Sequence, residues 1–227
     1  MKPLQAIPFV DGYSDLPTDE IAIACASHDA EPAQLAAVRK LLTRAGVGVD
    51  DLENGVQDGR PDGKLGHNCS GKHAGMLAAC SAHGWPLHPY RDPAHPLQQR
   101  IAELVPGAPG IDGCGLPTMA MSLAEMAELF TTIPRPIVGA MRAHPELIGG
   151  SRADDTELMQ ALPGWVAKRG AEGLFCALSP DGVGWVFKVA DGATRGLRPA
   201  LGQVLGIDAF RTVPVRNSLG EVVGSIR

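Results

Sequence analysis

The chain lacks any long apolar run. Although 44% of its 227 residues are hydrophobic, none of its stretches approaches the ~18 consecutive apolar residues that a membrane-spanning helix needs. It also lacks a basic run, and a formal net charge of -5 gives it no electrostatic footprint for nucleic acid. No charged-then-apolar leader opens the sequence, and its five cysteines, odd in number, have no tight framework spacing. These absences lead to the expectation of a cytoplasmic protein in a reducing compartment rather than a secreted disulfide scaffold. The expected partner is a small solute. No internal repeat or low-complexity segment is present, and the length suffices for a sizeable core in one large or two small domains.

Lysine is scarce as well. Of 20 basic residues only six are lysine, at positions 2, 40, 64, 72, 168 and 188. Lysine can lose its proton and arginine effectively cannot, so a lysine inside a motif is a candidate base or ligand. Lys2, Lys72 and Lys168 lie in such stretches, whereas Lys40 and Lys64 read as solvated surface.

What is present is a run of short helices separated by Gly/Pro-rich loops. Thr18-Asp19-Glu20 opens one helix that runs toward Ser27-His28-Asp29, and Glu31-Pro32 opens another, whose Leu35, Val38, Leu41, Leu42 and Ala45 share a face until Gly46 stops it. Residues 47–66 have little periodicity and read as a long loop. Further helices are expected from Ser70 to His83 with Gly84 beyond, from Pro96, from the Ser122-x-x-Glu125 capping box, from Ile137 to Arg142 and from Thr156 to Leu162. After Lys168 the pattern changes: two strand-like runs flank Pro180-Asp181-Gly182, a hairpin signal, then a helix fits residues 194–205 and two short strands bracket the turn at 217–220. No strand-like segment is legible in the first two-thirds, so the sheet reads as too short to stand alone.

Two motifs carry chemistry. In Leu65-Gly66-His67-Asn68-Cys69-Ser70-Gly71-Lys72-His73, Cys69 and Lys72 are three residues apart at a helix start and converge on one point, a geometry that suits a metal or an acyl-transfer site. In Asp112-Gly113-Cys114-Gly115, a second cysteine on a Gly-rich turn offers another soft ligand. The order Lys2, Ser27, Lys168 also resembles that of acyl-serine enzymes, in which a neutral lysine takes the proton of a serine that attacks an amide carbonyl.

These motifs, with His95-Pro96-Leu97-Gln98, Lys168-Arg169-Gly170, Asp191-Gly192-Ala193-Thr194-Arg195 and the stretch from Asn217 to Arg227, occur in family order across nearly the whole chain. The chain resembles the asparaginase II family, the Rhizobium-type L-asparaginases. The resemblance implies hydrolysis of L-asparagine to L-aspartate and ammonia by a homodimeric α+β protein related to serine β-lactamases and glutaminases. In that arrangement residues 1–166 form a mainly helical region with the metal and serine motifs, and residues 167–227 an antiparallel sheet region of the same catalytic unit. It implies Ser27 and Lys168 as one Ser-Lys pair, Lys2 as part of another, and Cys69, Lys72 and Cys114 as zinc ligands. His28 and His73 beside the motifs, and Arg195 with its reach for a carboxylate, are candidate substrate contacts. In the family a serine stands three residues before Lys2, where this sequence has only Met1. That departure leads to the expectation of an N-terminal truncation that also removes leading strands of the sheet, and of little or no activity in the chain as it stands.

Each motif has a plainer reading. Cys25, Cys80 and Cys176 read as core thiols, and Cys69 and Cys114 can be the same. Lys72 can cap a turn, Ser27 can bond backbone, and residues 191–195 can cap a helix. His67, like His28 and His73, either orients ligands or is held in a loop, and His83, His88 and His144 read as structural. Two rival functions follow: a penicillin-binding or β-lactamase-like acyl-serine hydrolase, and a zinc-binding pseudoenzyme without turnover.

Overall fold

A computed structural model describes residues 1–227. The elements are α1 (Lys2–Gln5), α2 (Ile7–Asp11), α3 (Thr18–Ala24), α4 (Pro32–Ala45), α5 (Ser70–His83), α6 (Pro96–Leu104), β1 (Ala108–Ile111), β2 (Pro117–Ala120), α7 (Leu123–Thr131), α8 (Arg135–Ala143), α9 (Pro145–Ile148), α10 (Asp154–Ala161), β3 (Val166–Arg169), β4 (Leu174–Leu178), β5 (Gly184–Lys188), α11 (Leu197–Leu205), β6 (Val213–Arg216) and β7 (Val222–Ile226).

Helix α5 is the hub. Every residue from Ser70 to Cys80 is buried, as expected for a helix of small and apolar residues with no polar stripe to turn toward water. Helices α2, α3 and α4 pack around it. The contact with α3 is close because position 71 is glycine: a Cβ there would lie 2.2 Å from the Ile23 carbonyl oxygen. The C-terminal end of α3 is thereby pressed onto the first turn of α5, and the two segments leaving these ends join through His28 N–H donating to Asn68 O at 3.1 Å. This single packing event brings the Ser27 and Cys69 motifs together.

The main sheet is antiparallel in the order β3-β4-β5, with Lys168 opposite Cys176 and Cys176 opposite Val186. Helix α10 packs on β3 and α7 on β4 and β5. One cluster of 47 buried apolar residues runs from Leu4 to Phe210 and includes Val166, Phe175 and Ala177 of this sheet, so helices and sheet share one core.

The architecture is mixed α+β, and three expectations are corrected. A strand pair does exist in the first two-thirds: β1 and β2 form an antiparallel hairpin around residues 112–116. Its strands are largely exposed and follow no apolar alternation, because the turn rather than a buried face closes it. Strand β3 begins at Val166, which places Lys168 inside it. The C-terminal strands do not join the main sheet; β6 and β7 form a separate two-stranded ribbon. The expected helix over 194–205 starts as a short 3-10 turn at Thr194–Gly196 before α11 begins.

Candidate active site

One cavity of about 640 Å³ gathers the chemistry, lined among others by Lys2, Ser27, Cys69, Lys72, Cys114 and Lys168. Three elements, the segment after α3 and two turns, drawn from distant parts of the sequence, deliver these side chains.

Ser27 follows α3 and is fixed by its own backbone, with its N–H donating to Ile148 O at 2.8 Å and its carbonyl accepting from Arg169 at 3.0 Å. Its hydroxyl meets the Lys2 amine of α1, with Nζ to Oγ at 2.8 Å, and Lys2 also donates to Ala26 O. Burial lowers the Lys2 pKa from its usual value to about 8, since an ammonium surrounded by protein loses its hydration. Ser27 Oγ has no other partner, so its proton is free to turn toward the amine.

Lys168 lines the same cavity but is held by other partners. Its Nζ donates to Arg169 O at 2.7 Å and faces the fully buried Asp155 at 3.5 Å, and no hydrogen bond links it to Ser27. Asp155 holds it there: the same carboxylate accepts from Arg169 N–H at 3.2 Å and anchors the start of α10 to β3. Burial lowers the Lys168 pKa, with Asp155 opposing.

The second group sits on the two turns. One ring nitrogen of His67 and the sulfurs of Cys69 and Cys114 lie within 4.8 Å of one another. The two sulfurs influence each other: the contact with Cys114 lowers the Cys69 pKa well below the ordinary thiol range, and the contact with Cys69, together with burial, raises that of Cys114. The remaining cysteines behave as core thiols; burial raises Cys25 and Cys80 to about 12 and raises Cys176 as well. Thiolate and imidazole donors this close are the chemistry of a transition-metal site. His67 is the donor that sequence reasoning left out of the ligand set, although its His-x-Cys spacing was visible.

Lys72 enters this group as a charge. Its Nζ, 3% exposed, pairs with Asp112 at 2.7 Å. The other Asp112 oxygen accepts from the backbone N–H of Cys114 at 2.8 Å and of Leu116 at 3.0 Å. A single carboxylate therefore closes the turn that carries Cys114 and ties it to the first turn of α5.

The three candidate substrate contacts do not line the cavity. His28 is fully buried; Ala30 N–H donates to its Nδ1 at 3.1 Å and its Nε2 lies 2.8 Å from Ser70 Oγ. Because Nδ1 accepts, Nε2 carries the proton and donates to Ser70, whose own hydroxyl donates to Leu65 O at 2.7 Å. Burial and neighbouring cations lower the His28 pKa to about 3. His73 is buried against the Tyr90 hydroxyl at 2.8 Å, and burial keeps it neutral. Arg195 is exposed on the Thr194–Gly196 turn; the apolar face of α11 that follows, with Leu197 and Leu201 buried, sets that turn on the surface.

Sequence reasoning also missed Asp29, Arg60 and Arg169, which line the same cavity. Asp29 Oδ1 accepts from Arg169 at 2.9 Å and from Arg60 at 3.0 Å.

No helix is long and apolar enough to cross a membrane. A search of curated proteins returns no match. The family model for L-asparaginase II matches residues 1–227, the full span over which the motifs and the cavity are distributed. The chain belongs to the L-asparaginase II family and is an amidohydrolase of the asparaginase type.

Proposed function

We propose that this protein hydrolyses L-asparagine to L-aspartate and ammonia through an acyl-enzyme on Ser27, with Lys2 as its base. The observation that carries the proposal is the 2.8 Å approach of the Lys2 amine to an otherwise unpartnered Ser27 hydroxyl at the wall of the cavity. A neutral Lys2 accepts the Ser27 proton as Oγ attacks the side-chain amide carbon. The C–N bond then breaks, and Lys2 returns the proton to the departing nitrogen, releasing ammonia. Water attacks the resulting ester with Lys2 again accepting a proton, the Oγ–C bond breaks as Lys2 returns that proton to Ser27 Oγ, and aspartate leaves. Lys168, held at the cavity by Asp155, adds positive charge for the oxyanion.

The metal implied by the resemblance is zinc, and the donor set suits it: two sulfurs and an imidazole nitrogen within 4.8 Å match three corners of a tetrahedral site with bonds of ~2.0–2.3 Å. Cys69, Cys114 and His67 would hold it, where it would supply positive charge near a substrate oxygen, and Lys72 braces the Cys114 turn through Asp112. The reading extends to a serine β-lactamase/glutaminase-like architecture, supported by a buried helix and a strand lysine facing one cavity, and to a cytoplasmic homodimer.

Ammonia release from L-asparagine by the purified chain, with hydroxylamine present to intercept an aspartyl ester as the hydroxamate, tests the proposal. Turnover without hydroxamate, or unchanged turnover in Ser27→Ala, defeats the serine mechanism. No turnover by the folded, zinc-loaded chain defeats the reading that Ser27 and Lys2 suffice for hydrolysis. Covalent labelling of Ser27 by a β-lactam in place of asparagine turnover points to the penicillin-binding alternative.

A further inference from the structure

The charges around the cavity are unevenly paired. Lys72 is matched by Asp112 and Lys168 by Asp155, but Arg60 and Arg169 share the single carboxylate of Asp29. Two guanidinium groups thus divide one carboxylate beside Ser27, and the arginines differ in which nitrogens they commit. The NH2 nitrogen of Arg169 is saturated by structure, donating to Ser27 O, Asp29 Oδ1 and Gly149 O at 2.9–3.0 Å. Arg60 donates once from NH1, to His28 O at 3.3 Å, and once from NH2, to Asp29 at 3.0 Å. Its Nε–H and a second N–H on each terminal nitrogen have no protein partner, and the residue lines the cavity.

The loop presents Arg60 deliberately. Its backbone N–H donates to Gln57 O at 3.1 Å. Gly66 lets the chain fold back over the next residue, since a Cβ at 66 would lie 1.7 Å from Pro61 O. The guanidinium therefore returns to the segment that follows Ser27, donating to His28 O and Asp29 Oδ1.

From this placement we propose that Arg60 is the specificity-determining residue that binds the α-carboxylate of the amino-acid substrate. Guanidinium and carboxylate match in planar, paired geometry. In asparagine the α-carboxylate is separated from the reacting amide carbon only by Cα and Cβ, so a cation one residue's reach from Ser27 is where that group falls. Arg169, whose NH2 nitrogen is committed to three acceptors, holds the Ser27, Asp29 and Gly149 segments together.

The inference rests on the asparaginase reading, and its test separates the two. Turnover is compared for L-asparagine and for 3-aminopropanamide, which is asparagine without its α-carboxylate, in the wild type, Arg60→Gln and Arg60→Lys. Binding of L-aspartate, which keeps the carboxylate, is followed by calorimetry in the same proteins without need of turnover. The expected result is a roughly 10- to 100-fold loss of kcat/KM for asparagine in Arg60→Gln, with 3-aminopropanamide unchanged within about threefold, partial recovery in Arg60→Lys, and a matching loss of L-aspartate affinity. Equal losses on both substrates, or L-aspartate binding unaltered in a folded Arg60→Gln, overturns the inference. A wild type that turns over no asparagine yet binds L-aspartate through Arg60 overturns the reaction and leaves the subsite standing.

Discussion

Two serines in this molecule stand 2.8 Å from a nitrogen base, and only one is equipped to react. Ser27 meets Lys2 and Ser70 meets His28. At Ser70 every proton is committed: the hydroxyl donates to Leu65 O, the histidine donates to the hydroxyl, and the histidine's lone pair is taken by Ala30 N–H. The whole cluster is buried, with Ser70 and His28 both at 0% exposure. At Ser27 the hydroxyl proton has no acceptor except the amine, and the pair faces a cavity. Distance alone does not make a nucleophile; the direction in which the hydrogens run decides it.

The largest effect is expected from the two serines themselves. Ser27→Ala lowers kcat for asparagine by on the order of 10³-fold or more, whereas Ser70→Ala keeps most of the activity and lowers unfolding stability by about 1–3 kcal/mol, since it leaves Leu65 O and His28 Nε2 without their partner. Steady-state ammonia release and urea unfolding of both variants check this, and the comparison breaks if the phenotypes are exchanged. Next in size, Lys2→Met lowers kcat by roughly 10²- to 10⁴-fold with little change in unfolding midpoint.

A fourth variant strikes both serines together. Gly71→Ala places a methyl 2.2 Å from Ile23 O, so α3 and α5 separate, activity falls and stability drops by about 2–4 kcal/mol. Asp112→Asn is milder: it frees Lys72 and loosens the Cys114 turn, and zinc affinity measured by competition with a chelator falls by roughly 10- to 100-fold.

The remaining effect is on pH. His28 titrates near 6.5 when unfolded but at about 3 in the fold, so below pH 6.5 the unfolded chain binds the extra proton. Its contribution is complete above about pH 6.5 and is lost at up to about 1.4 kcal/mol per pH unit as pH falls toward 3. The acid limb of urea stability against pH is therefore shallower in His28→Asn than in the wild type.

How much of this was legible depends on the range of the forces involved. Helix α5 could be placed to the residue, because the signals that end it are local: Gly84 takes the left-handed conformation at φ 67°. The Ser122–Glu125 capping box and the hairpin at Pro180-Asp181-Gly182 are local in the same sense. The proximity of Cys69 to Cys114 followed from motif chemistry. The β1–β2 hairpin was hidden because exposed Ala108, Pro109 and Gly110 show no alternation, its closure depending on Asp112. The partner of Ser27 was hidden too, because Lys2 reaches it only through the seating of α1, while Asp155 draws Lys168 away. Asp29 and Arg60 are linked by an ion pair across 31 residues of chain, and nothing in either neighbourhood announces the other.

The bond from Asp112 to Lys72 has a consequence for how this family member can drift. Since the Cys114 turn takes its position from a carboxylate anchored to α5 rather than from the strands that flank it, the outward side chains of that hairpin are free to mutate. Lineages can recolour this surface, or lengthen its strands, with the sulfur still arriving where its partner waits.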